Sequence, residues 1–526
     1  MIRLRQVRVP IDNEKDLKKK VSKLLKTKES NIKNIKCIKK SIDARDKNNI
    51  LYVYELDVEV LSEDIVLKKI NSKDIFKSIS KNYSFPKINN KNKKIVIVGS
   101  GPAGLFCGYV LAEAGYKPII IERGEKIEDR VNTVEEFWEN NNLNLNSNVC
   151  FGEGGAGTFS DGKLNTLTKD KEARGNKVFS IFIENGASKE IAYDSLPHIG
   201  TDKLREVVKN IRNKIIDMGG EFLFNSLVTD INIKNNKVCG VVANDKEIEC
   251  DNLVLAIGHS ARDTFEMLHK KGVCMESKPF AVGLRVEHPQ DMINKSQYGK
   301  SYKKLKPASY KLTYNTKKGR GVYSFCMCPG GYVVNSSTEK DGLVINGMSD
   351  YKRDSKNSNS AIVVTVNKND YGKELFDGVK FQRELERQTY KLGDGNIPVQ
   401  LYKDFIDKKV STKFNYDPCI KGNYKFSDLN KLLPEYVSDS IKEALPMFGK
   451  KIKGFDRDDT IMLGIESRTS SPIKIKRNEK GISNIEGIYP CGEGAGYSGG
   501  ITTSAIDGIK QAENIARNWF FSDFMV

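Results

Sequence analysis

The hydrophobic pattern changes period several times along the chain, and each change marks an expected element. Residues 95–98 are four consecutive aliphatic residues, the pattern of a strand buried on both faces. Leu105, Tyr109, Leu111 and Ala112 then suit a helix, with Gly115 placed to end it. A second apolar run follows over 119–121. Upstream, residues 2–9 alternate like a strand, and residues 16–25 carry Leu17, Val21, Leu24 and Leu25 at helical spacing. Residues 35–38 and 51–60 read as further strands. Downstream, 131–138 reads as a helix, and Thr201 or Asp202 is placed to cap a helix that runs through 218. Strands are expected over 221–227, 237–243 and 252–257. From about 278 to 462 β-type segments such as FAVGLRVEH and YSFCMCPGGYVV dominate, followed by a helical stretch over 429–445. A strand over 488–493 and a helix over 501–519 close the chain.

This order predicts an α/β protein: a Rossmann-type domain with an inserted mainly-β (α+β) domain and a small N-terminal α+β module. The expected boundaries are 1–86 for the module, 87–277 and 463–526 for the two parts of the nucleotide domain, and 278–462 for the insert. A polar linker over 87–94 delivers the chain into the first Rossmann strand.

The chemistry sits where strand meets helix. Gly99, Gly101 and Gly104 follow the first apolar strand at G-x-G-x-x-G spacing, and Pro102 and Ala103 open the helix. Gly99 permits the tight turn, Gly101 lets a pyrophosphate approach the backbone, and Gly104 lets helix and strand touch. The helix N-terminus offers free N–H groups to phosphate. Glu122, eighteen residues after Gly104, ends the second strand where it can accept from an adenosine ribose, with Arg123 beside it. Strand, helix, second strand and acid in register make this a dinucleotide site. Gly152, Gly154 and Gly157 repeat the spacing, but no apolar strand precedes them and Asp161-Gly162 breaks any helix after them. They read as a flexible glycine loop, whose Gly154, Gly155 and Gly157 amides can form an anion nest over the cofactor. The strand at 252–257 ends in a further glycine turn at Gly258.

A second signature stands at the far end, YPCGEGAGYSGGITTSAIDGIKQAENIA. A dinucleotide with a long ribityl and ring system explains such a second signature; a nicotinamide dinucleotide alone does not. Gly492 and Glu493 are placed for the ribityl or pyrophosphate. The helix start at Gly500 and Ile501 faces the pyrimidine edge, where its dipole stabilises an anionic reduced flavin. The cofactor is therefore expected to be non-covalent FAD, with NAD(P)H open as a transient electron donor.

The two ends together resemble the glutathione-reductase-like FAD superfamily. More closely, the chain resembles a family of bacterial FAD-dependent dehydrogenases of largely uncharacterised substrate. The resemblance is carried by KKSIDAR at 39–45, FGEGGAGTFSDGKL at 151–164, PHIGTDKL at 197–204, KPFAVGLRVEHPQ at 278–290, CMCPGG at 326–331, ESRTSSP at 466–472 and CGEGAGYSGG at 491–500. It implies non-covalent FAD and an oxidoreductase, and names no substrate.

Candidate catalytic groups are few. Arg468 lies in ESRTSSP, where a guanidinium can hold an anionic substrate or pair with Glu466 or another carboxylate. His198 and His259, two of four histidines, are candidate proton donors or turn residues bonded to backbone. Cys326 and Cys328 fall on one face of an expected strand, where a disulfide would be strained, and read as structural thiols. Cys491 is expected near the ribityl chain.

Composition changes the picture in two places. The ten cysteines are scattered without C-x-x-C pairs, which points to reduced thiols in the cytoplasm and to no metal site. Of the net charge of +18, residues 1–94 supply most, with 25 Lys and Arg against 12 Asp and Glu. The basic module thus opens an alternative: a flavin-containing adaptor that docks RNA or an acidic protein through residues 1–86. No apolar run approaches the ~18 residues of a membrane span, and MIRLRQVRVP has no signal-type apolar region. The leading expectation is a cytoplasmic oxidoreductase that moves a hydride between FAD and a small molecule. The oligomeric state is left open.

Overall fold

The apolar run that opens the fingerprint is the middle strand of a five-stranded parallel sheet. The computed structural model describes every residue except 80, 87–91, 167, 169 and 523–526, with the backbone alone at 518–522. Across the sheet the order is Ile488–Pro490, Asn252–Leu255, Ile95–Val98, Ile119–Ile121, Glu221–Leu223. Ile95–Val98 and Asn252–Leu255 are buried at every position, because both faces of the sheet are covered. Ile95, Ile97 and Ile120 pack under the helices Pro102–Glu113, Thr201–Asp217 and Ile501–Ser522. Val96, Val98 and Ile121 pack against a three-stranded antiparallel sheet (Val228–Lys234, Lys237–Ala243, Lys246–Glu249) and the helix Arg262–Lys270.

Two local expectations change. The strand expected over 221–227 ends at Leu223, and 228–234 is a separate strand of the antiparallel sheet. The helix after 200 is capped by Gly200 at φ 80°, not by Thr201 or Asp202; Thr201 is its first residue, its hydroxyl turned to the Thr158 carbonyl. Asp202 instead accepts from the Tyr351 amide at 2.7 Å.

The β-rich region forms a seven-stranded sheet in the order Thr313–Asn315, Gly321–Cys328, Asn357–Val366, Phe280–Pro289, Ile461–Glu466, Ile397–Leu401, Tyr424–Phe426. Its strand Ile461–Glu466 runs across the expected limit at 462 and carries the chain back toward the parallel sheet. The helical stretch expected over 429–445 divides into a short turn, Leu429–Lys431, and the helix Glu435–Gly449. Pro434 sets that break, since the residue before a proline is pushed out of the helical region.

The N-terminal residues build a four-stranded sheet in the order Ile32–Asp43, Leu51–Val60, Ile2–Pro10, Ile75–Lys77 with the helices Leu17–Leu24 and Glu63–Lys68. It has its own core of Ile2, Leu4, Val7, Val21, Leu56 and Val58. Its edge strand Ile32–Asp43 reaches the rest of the chain: the Lys40 amide donates to Tyr193 O at 2.7 Å, and the Ser195 amide to Lys40 O at 2.9 Å. Many of the module's cations are internally paired, Arg3 with Glu55 and Asp57, Lys40 with Glu14, Arg45 with Asp43. The expected linker over 87–94 lies largely outside the described residues. Among the described residues no helix is long and apolar enough to cross a membrane.

Candidate functional site

Three adjacent parallel strands end in glycine turns, and those turns make one trough. Gly99, after Val98, has φ 100°, and a Cβ there would lie 2.3 Å from Ala256 O. A Cβ on Gly104 would lie 1.9 Å from Gly99 O, so the helix touches the strand turn as the fingerprint requires. A Cβ on Gly494 would lie 2.4 Å from Gly258 O, so the second and third turns also meet backbone to backbone. Gly101 is different: a Cβ there meets only Gly155 Cα, at 3.9 Å, and faces open space. Gly101 is also the helix N-cap with Pro102 next and no capping side chain, which leaves first-turn amides for a ligand. The trough continues into a cleft with about 1410 Å³ of atom-free space. Gly99, Gly101, Pro102, Ala103, Glu122, Arg123, Gly155, Gly157, Gly258, His259, Arg468, Glu493, Gly500 and Ile501 all line it, together with Cys326 and Glu466 from the seven-stranded sheet and Asn346 from the strand Ile345–Met348 of a separate three-stranded sheet.

The loop at 152–160, expected to be flexible, is tied down by hydrogen bonds at several points. Arg130, fully buried, donates to the carbonyls of Asn148, Val149, Glu153 and Gly155 and to Thr158 Oγ1. The Gly154 amide bonds Ser100 O at 2.9 Å, which fastens the loop to the fingerprint turn. Gly154 itself lies behind the lining, where a Cβ would sit 2.3 Å from Thr158.

Glu122 holds this assembly rather than leaving its carboxylate free. One oxygen accepts from the Ser100 amide and hydroxyl, the other from the amides of Gly124 and Gly152, at 2.7–3.0 Å. The lone-pair positions expected for a ribose are already filled by the chain. Arg123 pairs with Asp263 at 3.0 Å and stacks on the Phe151 ring at 4.1 Å.

The candidate catalytic groups separate on inspection. His198 is absent from the cleft lining; its Nε2 sits 2.9 Å from Tyr351 O, its ring stacks on Tyr351, and burial pushes it down to about 4. It is therefore no proton donor to the cleft. His259 does line the cleft, with Nδ1 3.6 Å from Glu493. Burial and the Arg468 and Arg262 guanidinium groups push it down to about 3, so it is neutral at ordinary pH. Burial pushes the neighbouring Glu493 up to about 7, with Lys278 opposing; 28% of its side chain is exposed, so water tempers the rise. Arg468 is committed: it clamps Glu386 with two nitrogens at 2.7 and 2.9 Å and donates to Ser260 and Thr338 hydroxyls. Its carboxylate partner is Glu386, not Glu466, and Glu386 also holds Arg262.

Glu466 belongs instead to Arg285, a fully buried arginine in an apolar strand that donates to Glu466, Asn346, Asn359 and Cys326 O. Sequence reasoning did not single out Arg285, although an arginine inside FAVGLRVEH is a legible sign of a buried polar network. Glu386 and Arg130 read as ordinary helix-surface charges, and their spacing carries no signal. Cys326 and Cys328 are not on a regular strand face: Cys326 has φ 44° in a register break, lines the cleft, and leaves Cys328 buried behind it.

A glycine-lined trough with unclaimed helix amides at its middle and polar side chains at its far end fits an extended dinucleotide carrying a ring system. Residues 93–278 match the pyridine nucleotide-disulphide oxidoreductase family, residues 279–469 the family described as FAD-dependent protein, C-terminal domain-like, and residues 1–59 a domain of unknown function. A thiamine thiazole synthase of Methanococcus aeolicus is 28% identical over 180 residues, 34% of this chain and 56% of that one. Among solved structures, glycine oxidase from Bacillus cereus is 11% identical, covering 81% of this chain and 96% of that one, at a TM-score of 0.36. An uncharacterized protein of Clostridium beijerinckii is 48% identical over 525 residues, 98% of each chain. The chain belongs with that relative to one family, and it is an FAD-dependent oxidoreductase.

Proposed function

We propose that the chain binds one non-covalent FAD along the trough and exchanges a hydride between it and a small molecule in the cleft beneath the seven-stranded sheet. The observation that supports this most is the meeting of three glycine turns at the carboxyl ends of three neighbouring parallel strands, opposite a polar wall. The amides of Ala103 and Gly104 would bind pyrophosphate, with Gly155 and Gly157 closing over it. Glu122 shapes the adenosine end by fixing the two loops around it. Glu493 stands where a ribityl chain would pass, and the helix start at Gly500 and Ile501 would face the pyrimidine edge. When bound, the flavin supplies the hydride donor and acceptor. The helix dipole there favours its anionic reduced form, while the loop pinned by Arg130 keeps water from one side.

NAD(P)H would serve as a transient electron donor at the flavin face. Among the described residues the strand, G-x-G-x-x-G and helix unit with a following acid occurs once, which leaves no separate nicotinamide domain. The test is anaerobic reduction of the purified protein by NADH and by NADPH, followed in the flavin spectrum, then reoxidation against a panel of metabolites. Reduction and reoxidation by one member of the panel are expected. A colourless protein would sink the proposal, and a micromolar NAD(P) complex in the absence of FAD would overturn the transient-donor part.

A further inference from the structure

The flavin cleft carries a feature that hydride exchange with a small molecule does not use. Cys326 stands on its wall, at a bulge in the strand Gly321–Cys328, with Cys328 fully buried behind it. The Cys328 thiol lies 3.3 Å from Cys326 O. Arg285 Nη1 donates to the same carbonyl at 3.2 Å. Lys163 Nζ, ion-paired with Asp161 at 3.3 Å, comes within 4.0 Å of Cys328 Sγ. Two sulfurs and two cations are thus gathered at the far end of the trough, where the ring system of the cofactor belongs. Cys150 and Cys491 also line the cleft.

We propose that Cys326 and Cys328 are a second two-electron centre of this protein, a dithiol–disulfide couple that exchanges electrons with the flavin. The proposal rests on the FAD reading above. In the oxidised couple the two Sγ atoms are bonded. Breaking the S–S bond takes two electrons and one proton and leaves Cys328 as the thiol and Cys326 as the thiolate; a reduced flavin held in the trough would supply that hydride equivalent and be oxidised by it. No further reductant enters the step, and the flavin is recharged by its own donor. The electrostatics suit this division. The Cys328 thiol hydrogen-bonds Cys326, and Lys163 and Arg285 favour its negative charge, holding Cys326 below an ordinary thiol while Cys328 is pushed up.

The test is an anaerobic dithionite titration of the flavin-loaded protein after oxidation with diamide. The wild type is expected to take up four electrons per FAD, and Cys326→Ser and Cys328→Ser two each. Alkylation in denaturant should label all ten cysteines after reduction and two fewer before it, with Cys326 and Cys328 the protected pair. Cys328→Ser should also gain a broad absorption to the red of the flavin band, from the Cys326 thiolate against the ring, which disappears on acidification. Should Cys328→Ser fail to fold, Cys326→Ser, on the cleft wall, carries the comparison. A flavin-loaded wild type that takes up only two electrons, or that keeps ten reactive cysteines after diamide, overturns the couple and leaves the FAD reading standing. A protein that never holds flavin overturns both.

Discussion

Gly99 and Gly101 stand two positions apart in one motif, yet a side chain at each would meet different things. Gly99→Ala places a Cβ 2.3 Å from Ala256 O at a φ of 100°, so the backbone must shift. The expected cost is about 1–3 kcal/mol or more, read as a lower melting temperature. Gly101→Val meets nothing closer than Gly155 Cα at 3.9 Å, so the chain should fold normally. Its methyl groups fill the pyrophosphate position, and the flavin-to-protein absorbance ratio should fall to the baseline. Full flavin occupancy in Gly101→Val would show that the trough is not the site. A second residue-scale prediction concerns pH. Burial pushes Glu287 up to about 7, its Oε2 has no hydrogen-bond partner, and its Oε1 accepts from Asn357 and the Cys419 amide. The folded state therefore binds this proton more tightly than the unfolded state, whose carboxyl titrates near 4.5. Stability from this group is fully present below pH 4.5 and is lost as the pH rises through about 7. Glu287→Gln should remove that loss, so the variant gains on the wild type as urea melts move from pH 5 to pH 8. A stability difference that stays constant across that range would refute the assignment.

At the scale of elements, the loop at 152–160 owes its shape to one side chain. Arg130→Ala would leave the carbonyls of Asn148, Val149 and Glu153 without their donor inside the protein, while Gly155 O keeps the Thr158 hydroxyl. Each unsatisfied buried group costs about 1–3 kcal/mol, partly recovered by water, so a loss of several kcal/mol is expected. Proteolysis mapped by mass spectrometry should find new cuts between residues 147 and 160, and FAD should dissociate faster. Glu386→Gln tests a different joint. Glu386, on the helix Asp377–Gly393, ties Arg262 of one helix to Arg468 of the segment that returns to the parallel sheet. Removing its charge leaves the buried Arg468 without its carboxylate, while Arg262 keeps Glu339 at 2.7 Å, so the cost should fall below the about 3–5 kcal/mol of a fully broken buried pair, seen as a lower melting temperature with flavin still bound at low temperature. These two joints also mark where the sequence falls silent. The fingerprint was legible because each glycine answers a local steric demand within a few residues. Arg130 and Glu386 act on partners in other segments, and Glu386 meets Arg468 across 82 positions. Nothing in the periodicity of either helix separates them from solvent-facing charges. The strand Ile32–Asp43 was underestimated for a related reason: only its inner face is apolar, and its lysines interrupt the alternation. Arg468 itself was found by position, but its role was not, because a guanidinium near a ring reads the same whether it awaits an anion or already holds one.

The whole molecule poses the question of what the N-terminal module adds. Its core residues, from Ile2 to Val66, form a cluster of their own, separate from the cores around the parallel and seven-stranded sheets. Its contacts with the rest include two backbone hydrogen bonds at Lys40, a bridge from Asp12 to Lys304 at 2.7 Å, and Lys47 packed against Gly299. No described residue of 1–86 lines the flavin cleft. A unit with its own core is removable in principle; besides the short irregular segment at 193–195 that Lys40 pairs with, Tyr83 and Phe85 of the same stretch pack on the core of the parallel sheet. A chain starting at residue 87 is expected to fold and to keep one FAD, with a lower melting temperature, because the Tyr193–Ser195 backbone loses its partners and the core loses Tyr83 and Phe85. Exposed ion pairs of the Asp12–Lys304 kind contribute only about 0–1 kcal/mol, so the drop should be nearly the same at low and high salt. Removing the module also takes away half of the net positive charge, +9 of +18. Any attraction of the full chain to a polyanion such as heparin should then weaken in the shortened chain and depend less steeply on salt. Flavin content, melting temperature and heparin retention, measured on both proteins side by side, decide the matter. An insoluble or colourless shortened chain that regains its colour when residues 1–86 are supplied separately would show that the module is part of the flavin fold itself.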